Sequence, residues 1–153
     1  MAESLPEHES LALVEKRLQY HFKRKNLLAA ALTHRSFILP GQGEHNEKLE
    51  FLGDAVLNLV MSSLLMQHFP ERNEGDLSKL RASLVNAQML ACKADELSLG
   101  QWLLLGRGEE KSGGRQKMSI LAAVYEAVLG AVYQDGGLAP ASEIVARHFA
   151  PEL

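Results

Sequence analysis

The residues from Asn46 to His68 constrain the fold most, because they are apolar on nearly every side of a predicted helix. This segment nevertheless carries three carboxylates, Glu47, Glu50 and Asp54, which fall within roughly 60° of one another on a helical wheel. Asn58 continues the same stripe. A helix of this kind belongs in a core or an interface, where unpaired charge is costly, so the stripe predicts a positively charged partner. A bound cation and the Lys or Arg side chains of neighbouring helices are the two candidates.

The rest of the chain shows helical periodicity with short breaks and no convincing strand alternation, so we predict an all-α fold. A chain of 153 residues is long enough for one domain with a buried core. Beside the long helix, the predicted helices cover residues 11–20, 26–32, 76–97, 118–134 and 140–149. The stretch from Gly106 to Lys117 is rich in glycine and basic residues, and we predict a loop there.

The composition is that of an ordinary globular protein, with 46% apolar residues, 23% charged residues and a formal net charge of −3. Bulk charge of this sign does not predict nucleic-acid binding, so any such contact would need local basic patches or a metal ion. The single Cys92 excludes an internal disulfide framework, and we expect it to be a small core residue. We find no apolar signal core and no apolar run suited to a bilayer, so we expect a cytoplasmic protein without membrane contact.

A further carboxylate, Glu126, lies in the helix predicted after the basic loop. Its helical face also carries Ser119, Ala123, Gly130 and Tyr133. The small residues on this face allow another helix to approach closely, so Glu126 could meet the acidic stripe. Carboxylates gathered in this way repel one another unless a cation joins them. Because oxygen ligands with open positions suit Mg²⁺, the spacing favours a magnesium site.

Four blocks of the sequence resemble the endonuclease domain of bacterial ribonuclease III. They are HNEKLEFLGDAVL from His45 to Leu57, ALTHRS from Ala31 to Ser36, EGDLSKLRA from Glu74 to Ala82, and KSGG from Lys111 to Gly114. The resemblance implies one all-helical endonuclease domain over residues 1–153, without a double-stranded-RNA-binding domain, that forms a homodimer through the signature helix. It also implies Mg²⁺-dependent cleavage of double-stranded RNA, with Mn²⁺ as a substitute, in the processing of ribosomal and messenger RNA precursors. The products of the family carry 5′-phosphates and short 3′ overhangs.

The resemblance also implies roles for individual side chains. Glu50 and Glu126 match metal ligands of the family, and Asp54 and Glu126 match its catalytic carboxylates. Glu47 matches a residue at the subunit interface, at the border of the cleft. The apolar side chains of the signature helix that we expect in the core or the dimer interface are Phe51, Leu52, Leu57 and Met61.

Position 123 departs from the family pattern. The family has Ser-Ile-Leu-Ala-Asp, with a metal-binding aspartate, where this chain has Ala123. Alanine keeps the helix but removes an anionic ligand, so we expect weaker Mg²⁺ binding and an unaffected fold. Loss of a group that acts in the transition state costs on the order of 10²–10⁴ in rate. We therefore expect this chain to cleave RNA poorly or not at all.

The basic side chains of the Gly106–Lys117 segment could follow an RNA backbone, and a solvated charged loop is the equal alternative. They are Arg107, Lys111, Arg115 and Lys117. The competing function is a non-catalytic RNA-binding or scaffold dimer that has kept the fold. Ala123 favours this competing function, whereas the retained acids oppose it, and a DNA-directed nuclease is a weaker third alternative.

Overall fold

The computed structural model describes residues 8–37 and 43–153 of the chain. Within these residues the α-helices are α1 His8–Leu18, α2 Lys25–Ala31, α3 Glu47–His68, α4 Glu74–Leu84, α5 Ala87–Glu96, α6 Arg107–Lys111, α7 Met118–Gly136 and α8 Leu138–Phe149. Short 3₁₀ turns cover residues 35–37, 99–102, 114–116 and 150–152. The described residues form no β-strand, and Thr33 and Leu104 make an isolated bridge. The predicted all-α fold is confirmed.

The centre of the fold is the contact between α3 and α7, the two longest helices. An added Cβ at Gly53 would lie 1.7 Å from the carbonyl oxygen of Glu126, and one at Gly130 would lie 2.2 Å from that of Leu49. The two helices therefore meet backbone to backbone, as the small residues of α7 predicted. This contact fixes where Glu126 stands relative to the acids of α3.

The other helices surround this pair. α2, α5 and α8 pack against α7, and α4 packs against α3. α7 is buried along most of its length, because Ala, Val and Leu recur on nearly every face of it. Among the described helices, α3 is the one long and apolar enough to cross a membrane, a test that the core helix of a globular protein also passes. Since α3 packs on α4, α7 and α8, we assign it to the core.

The prediction of one helix over residues 76–97 was wrong, because the chain breaks at Val85 and Asn86 between α4 and α5. The side-chain oxygen of Asn86 accepts a hydrogen bond from the backbone N–H of Met89 at 2.9 Å and so starts a new helix. Leu84 and Leu90 are buried on either side of the break, which is why the apolar periodicity concealed it.

The expectation that Cys92 lies in the core was also wrong, because its side chain is exposed. Its neighbour Lys93 is buried instead, with 1% of its surface accessible. The Lys93 ammonium donates to the carbonyl oxygen of His148 at 2.8 Å and to the Glu152 carboxylate at 2.6 Å. Adjacent side chains on a helix differ by about 100° in direction, so Cys92 can face solvent while Lys93 faces the core.

Candidate acidic site

The contact between α3 and α7 brings three carboxylates together, and we call Glu50, Asp54 and Glu126 the acid cluster. Glu50 and Asp54 lie one helical turn apart on α3 and flank Gly53, whose missing side chain admits the backbone of Glu126. Glu126 is half-buried on α7, and its carboxyl group lies within hydrogen-bonding reach of that of Asp54. The structure therefore unites the predicted acids of α3 with the predicted acid of α7.

The electrostatics of the acid cluster follow from this crowding. Burial raises the pKa of Glu126 to about 8, helped by the hydrogen bond with Asp54 and by the charges of Asp54 and Glu50. Burial also raises the pKa of Glu50, and the neighbouring charges of Glu47 and Asp54 add to this effect. At neutral pH a proton on Glu126 thus relieves the repulsion within the cluster.

Among the described residues, basic side chains pair with one acid of the acidic stripe, Glu47. Glu47 lies 3.4 Å from Arg35 Nη1 and 3.9 Å from His45 Nε2, so it has a basic partner. Within residues 8–37 and 43–153, no Lys or Arg forms a salt bridge with the acid cluster. Glu47 therefore pairs with Arg35 of the 35–37 turn, and the charge of the other three acids can be neutralised by a cation or a proton.

The acid cluster does not form a complete metal site in the described part of the chain. No group of three His, Cys, Asp or Glu side chains there has the arrangement needed to hold an ion. Ala123 is half-buried one turn before Glu126, where it contributes a methyl group to the same face. The donors present are all carboxylate oxygens, which suit Mg²⁺, and the methyl group of Ala123 adds no further donor to them.

Sequence reasoning placed Asn58 on the acidic stripe without assigning it a contact. Its Nδ2 atom donates to the backbone carbonyl oxygen of Asp54 at 2.8 Å and lies 3.3 Å from its Oδ1 atom. Ser62 and Arg81 continue this set of hydrogen bonds along α3 and into α4. The spacing of four residues between Asp54 and Asn58 was the available signal.

The predicted loop from Gly106 to Lys117 is instead α6 followed by a 3₁₀ turn, and half of its basic side chains are engaged within the fold. Arg115 pairs with Glu110 and donates to the carbonyl oxygens of Gly100 and Leu103 at 2.7 and 2.8 Å. Lys117 lies 2.7 Å from Glu109. Arg107 and Lys111 are exposed on α6, so these two are the better candidates for contact with RNA.

The apolar residues of α3 divide between core and surface. Leu57 and Met61 are fully buried and belong to the core, while Leu52 is half-buried. An exposed apolar stripe runs along the opposite side of the helix, and its members are Phe51, Ala55, Leu59 and Met66. Phe51 is 83% exposed and Met66 is 64% exposed, which is costly for apolar side chains in water.

A family model and the curated relatives of this chain point to one family, ribonuclease III. Residues 24–153 match a family model described as ribonuclease-III-like. The chain is 50% identical over 149 residues to Ribonuclease 3 of Geobacter metallireducens, covering 95% of this chain and 61% of that relative. It is also 50% identical to Ribonuclease 3 of Magnetococcus marinus, covering 96% of this chain and 63% of that relative. The chain thus spans about three fifths of the length of these relatives.

Solved structures agree with the sequence relatives. The nuclease domain of ribonuclease III from Campylobacter jejuni superposes with a TM-score of 0.88 at 45% identity, covering 92% of this chain and 96% of that one. That structure is described in terms of flexibility in the region involved in dimer formation. Dicer from Pichia stipitis superposes with a TM-score of 0.65 at 26% identity over 85% of this chain and 56% of the other.

Proposed function

Because the chain belongs to the ribonuclease III family, we propose that its acid cluster is an endonuclease site for double-stranded RNA, impaired by Ala123. The observation that carries this proposal is the cluster itself, since Glu50, Asp54 and Glu126 meet at the helix contact and no Lys or Arg of the described residues forms a salt bridge with them. A purely structural contact between helices would gain nothing from gathering three like charges. The proposed products have 5′-phosphates and short 3′ overhangs, as in the processing of ribosomal and messenger RNA precursors.

Glu50 and Glu126 are the side chains that would hold a divalent cation, with Mg²⁺ proposed and Mn²⁺ as a substitute. A bound ion of this type supplies an activated water and stabilises charge on a phosphoryl group. Glu126 must give up its proton before both its oxygens can act as anionic ligands. Asp54 then stands beside the ligands as the carboxylate that orients the attacking water and accepts its proton.

The proposed impairment follows from the position of Ala123. It lies one turn before Glu126 on the same face of α7, so an aspartate there would reach the same cluster. With a methyl group in its place, the cluster has fewer oxygen donors, and a bound cation would depend more on water. We propose a rate on the order of 10²–10⁴ below that of a chain with aspartate at position 123.

We also propose that two copies of the chain pair through the exposed apolar stripe of α3. The stripe presents Phe51 and Leu59, which are 83% and 58% exposed, on one side of the helix. Pairing would remove this surface from water, which is the usual reason for a contiguous apolar patch on a globular protein. Glu47 lies on the same helix, at the border between the stripe and the acid cluster. The dimer formation described for the Campylobacter jejuni domain supports this proposal.

We propose that Arg107 and Lys111 on α6 contact the RNA backbone and recognise its shape and charge without reading the base sequence. Arg115 and Lys117 are less available, because they form ion pairs with Glu110 and Glu109. The cytoplasmic location expected from the sequence stays a prediction.

The competing proposal is a non-catalytic RNA-binding or scaffold dimer. It is favoured by Ala123 and by the absence of a three-ligand cluster from the described residues. The two proposals differ in what a divalent cation does to the protein. A cation site stabilises the folded chain by an amount set by its affinity, about 2.7 kcal/mol at a concentration 100 times the Kd.

Thermal unfolding with and without Mg²⁺ or Mn²⁺ therefore tests the proposed function. We expect a small rise in Tm for the chain itself and a larger one for Ala123→Asp. Ala123→Asn is the matched control, because it has the same shape as aspartate without its charge. If Ala123→Asp gained no cation-dependent stability over Ala123→Asn, the scaffold would be the better account.

A further inference from the structure

A chain of hydrogen bonds runs from α4 along α3 to the acid cluster. Arg81 on α4 donates from its Nη1 atom to Ser62 Oγ at 2.8 Å. The Ser62 hydroxyl donates to the backbone carbonyl oxygen of Asn58 at 2.6 Å. Asn58 Nδ2 in turn donates to the carbonyl oxygen of Asp54 at 2.8 Å and to its Oδ1 atom at 3.3 Å. Arg81 and the next two turns of α3, at Ser62 and Asn58, are thereby linked to Asp54.

This arrangement adds a second restraint on the Asp54 side chain, whose carboxylate also lies within hydrogen-bonding reach of Glu126. Asp54 is exposed, so a carboxylate with that one partner could still change rotamer. The Asn58 amide is bound to both the backbone and the side chain of Asp54, which favours the rotamer that faces Glu126. An amide donor does this without adding charge, so it does not replace the cation as a lysine would.

We propose that Asn58 is a positioning residue, which holds the Asp54 carboxylate toward Glu126 and the attacking water. Ser62 and Arg81 hold the turn of α3 that carries Asn58. This role rests on the proposed function of the acid cluster. Residues that orient the groups around a metal commonly change metal affinity or activity by about 10–100-fold when they are replaced. Asn58 is neither a ligand nor a catalytic residue in this proposal.

The contact between Asn58 and Asp54 is tested by NMR of the Asn58 side-chain amide, in the chain with Ala123 and in single variants of it. Asp54→Asn keeps the shape of the side chain and removes the carboxylate, so we expect the Asn58 amide resonances to shift. We expect a smaller shift in Ser62→Ala and none in Ser63→Ala, because Ser63 is an exposed neighbour on another face of α3. Resonances that stay unchanged in Asp54→Asn would overturn the proposal, whatever the chain's activity.

The consequence is tested with Ala123→Asp as the parent, by Mn²⁺ titration and by cleavage of a long RNA duplex. We expect Asn58→Leu to lower both Mn²⁺ affinity and kcat by about 10–100-fold, with little change in KM or Tm. Asn58→Gln keeps the amide donor and should recover part of the loss. If Asn58→Leu matched its parent in both measurements, Asn58 would have no positioning role. If the parent neither bound Mn²⁺ nor cleaved RNA, the proposed function would fail, and the NMR result alone would decide whether Asn58 orients Asp54.

Discussion

Replacing Gly53 with alanine should separate the two central helices and disrupt the acid cluster. The added Cβ would lie 1.7 Å from the carbonyl oxygen of Glu126 and 2.6 Å from its carbonyl carbon. The backbone of α7 would have to move by about 1.3 Å to reach even 3.0 Å, below which such contacts are essentially never found. No flexible side chain can absorb this movement, since both nearest atoms belong to the main chain.

The expected magnitude combines two opposing effects. Overpacking of a core costs about 1–3 kcal/mol and occasionally more, and a clash with backbone belongs at the upper end of this range. Alanine recovers about 0.8–1.0 kcal/mol because it is the better helix former. We therefore expect Gly53→Ala to lower the free energy of unfolding by about 2 kcal/mol, which is a fall in Tm of about 4–8 °C for a domain of this size.

The assay is urea-induced unfolding followed by circular dichroism, with Gly108→Ala as the matched control. Gly108 lies in α6, and a Cβ built there meets no atom within 4 Å. The control should therefore be neutral or slightly stabilised. A Gly53→Ala chain as stable as Gly108→Ala would refute the close backbone contact and the geometry of the acid cluster with it.

Three further predictions concern other parts of the fold. Glu152→Gln should lower the free energy of unfolding in urea by about 1–2 kcal/mol, because it removes the negative charge that lies 2.6 Å from the buried Lys93 ammonium. Glu143→Gln, at an exposed side chain, is the control and should have no effect. Burial lowers the pKa of His148 to about 4. Between about pH 6.5 and pH 4 the unfolded chain therefore binds one more proton than the folded chain, and the free energy of unfolding falls as the pH falls, by less than about 3 kcal/mol. His148→Asn should remove that part of the pH dependence, and an unchanged profile would contradict the assignment. Phe51→Glu should convert a dimer to a monomer in analytical ultracentrifugation, whereas Met118→Glu, also at an exposed apolar side chain, should leave the dimer intact.

Much of the fold could be predicted because helical periodicity is strong in this chain. The long helix of α3 was expected to begin near Asn46 and to end at His68, and the structure has it from Glu47 to His68. α7 was expected over residues 118–134 and extends to Gly136. These helices are long and rich in apolar residues, so their pattern is not easily interrupted.

The errors came from signals that compete with periodicity. The apolar spacing continues across Asn86, but the asparagine side chain accepts the Met89 N–H and starts α5. Cys92 was assigned to the core by residue type alone, and Lys93 takes the buried position because its ammonium finds a carbonyl and a carboxylate. A single sequence does not show which partners such a group will meet in three dimensions.

The members of the acid cluster could be predicted from the sequence, but not whether basic side chains would neutralise them. Spacing placed Glu50 and Asp54 on one stripe, and the small residues of α7 allowed Glu126 to join them. Whether lysines or arginines would neutralise the stripe depended on the packing of helices far apart in sequence. In the structure Glu47 forms an ion pair with Arg35, whereas Glu50, Asp54 and Glu126 lie next to one another.

The central claim, that the acid cluster is a cleavage site lacking one ligand, is tested most directly by restoring that ligand. A long RNA duplex is incubated with Mg²⁺ and either the unaltered chain, Ala123→Asp or Ala123→Asn, and cleavage is followed on a denaturing gel. We predict that Ala123→Asp cleaves on the order of 10²–10⁴ times faster than the other two chains. Equal rates for all three chains would contradict the account.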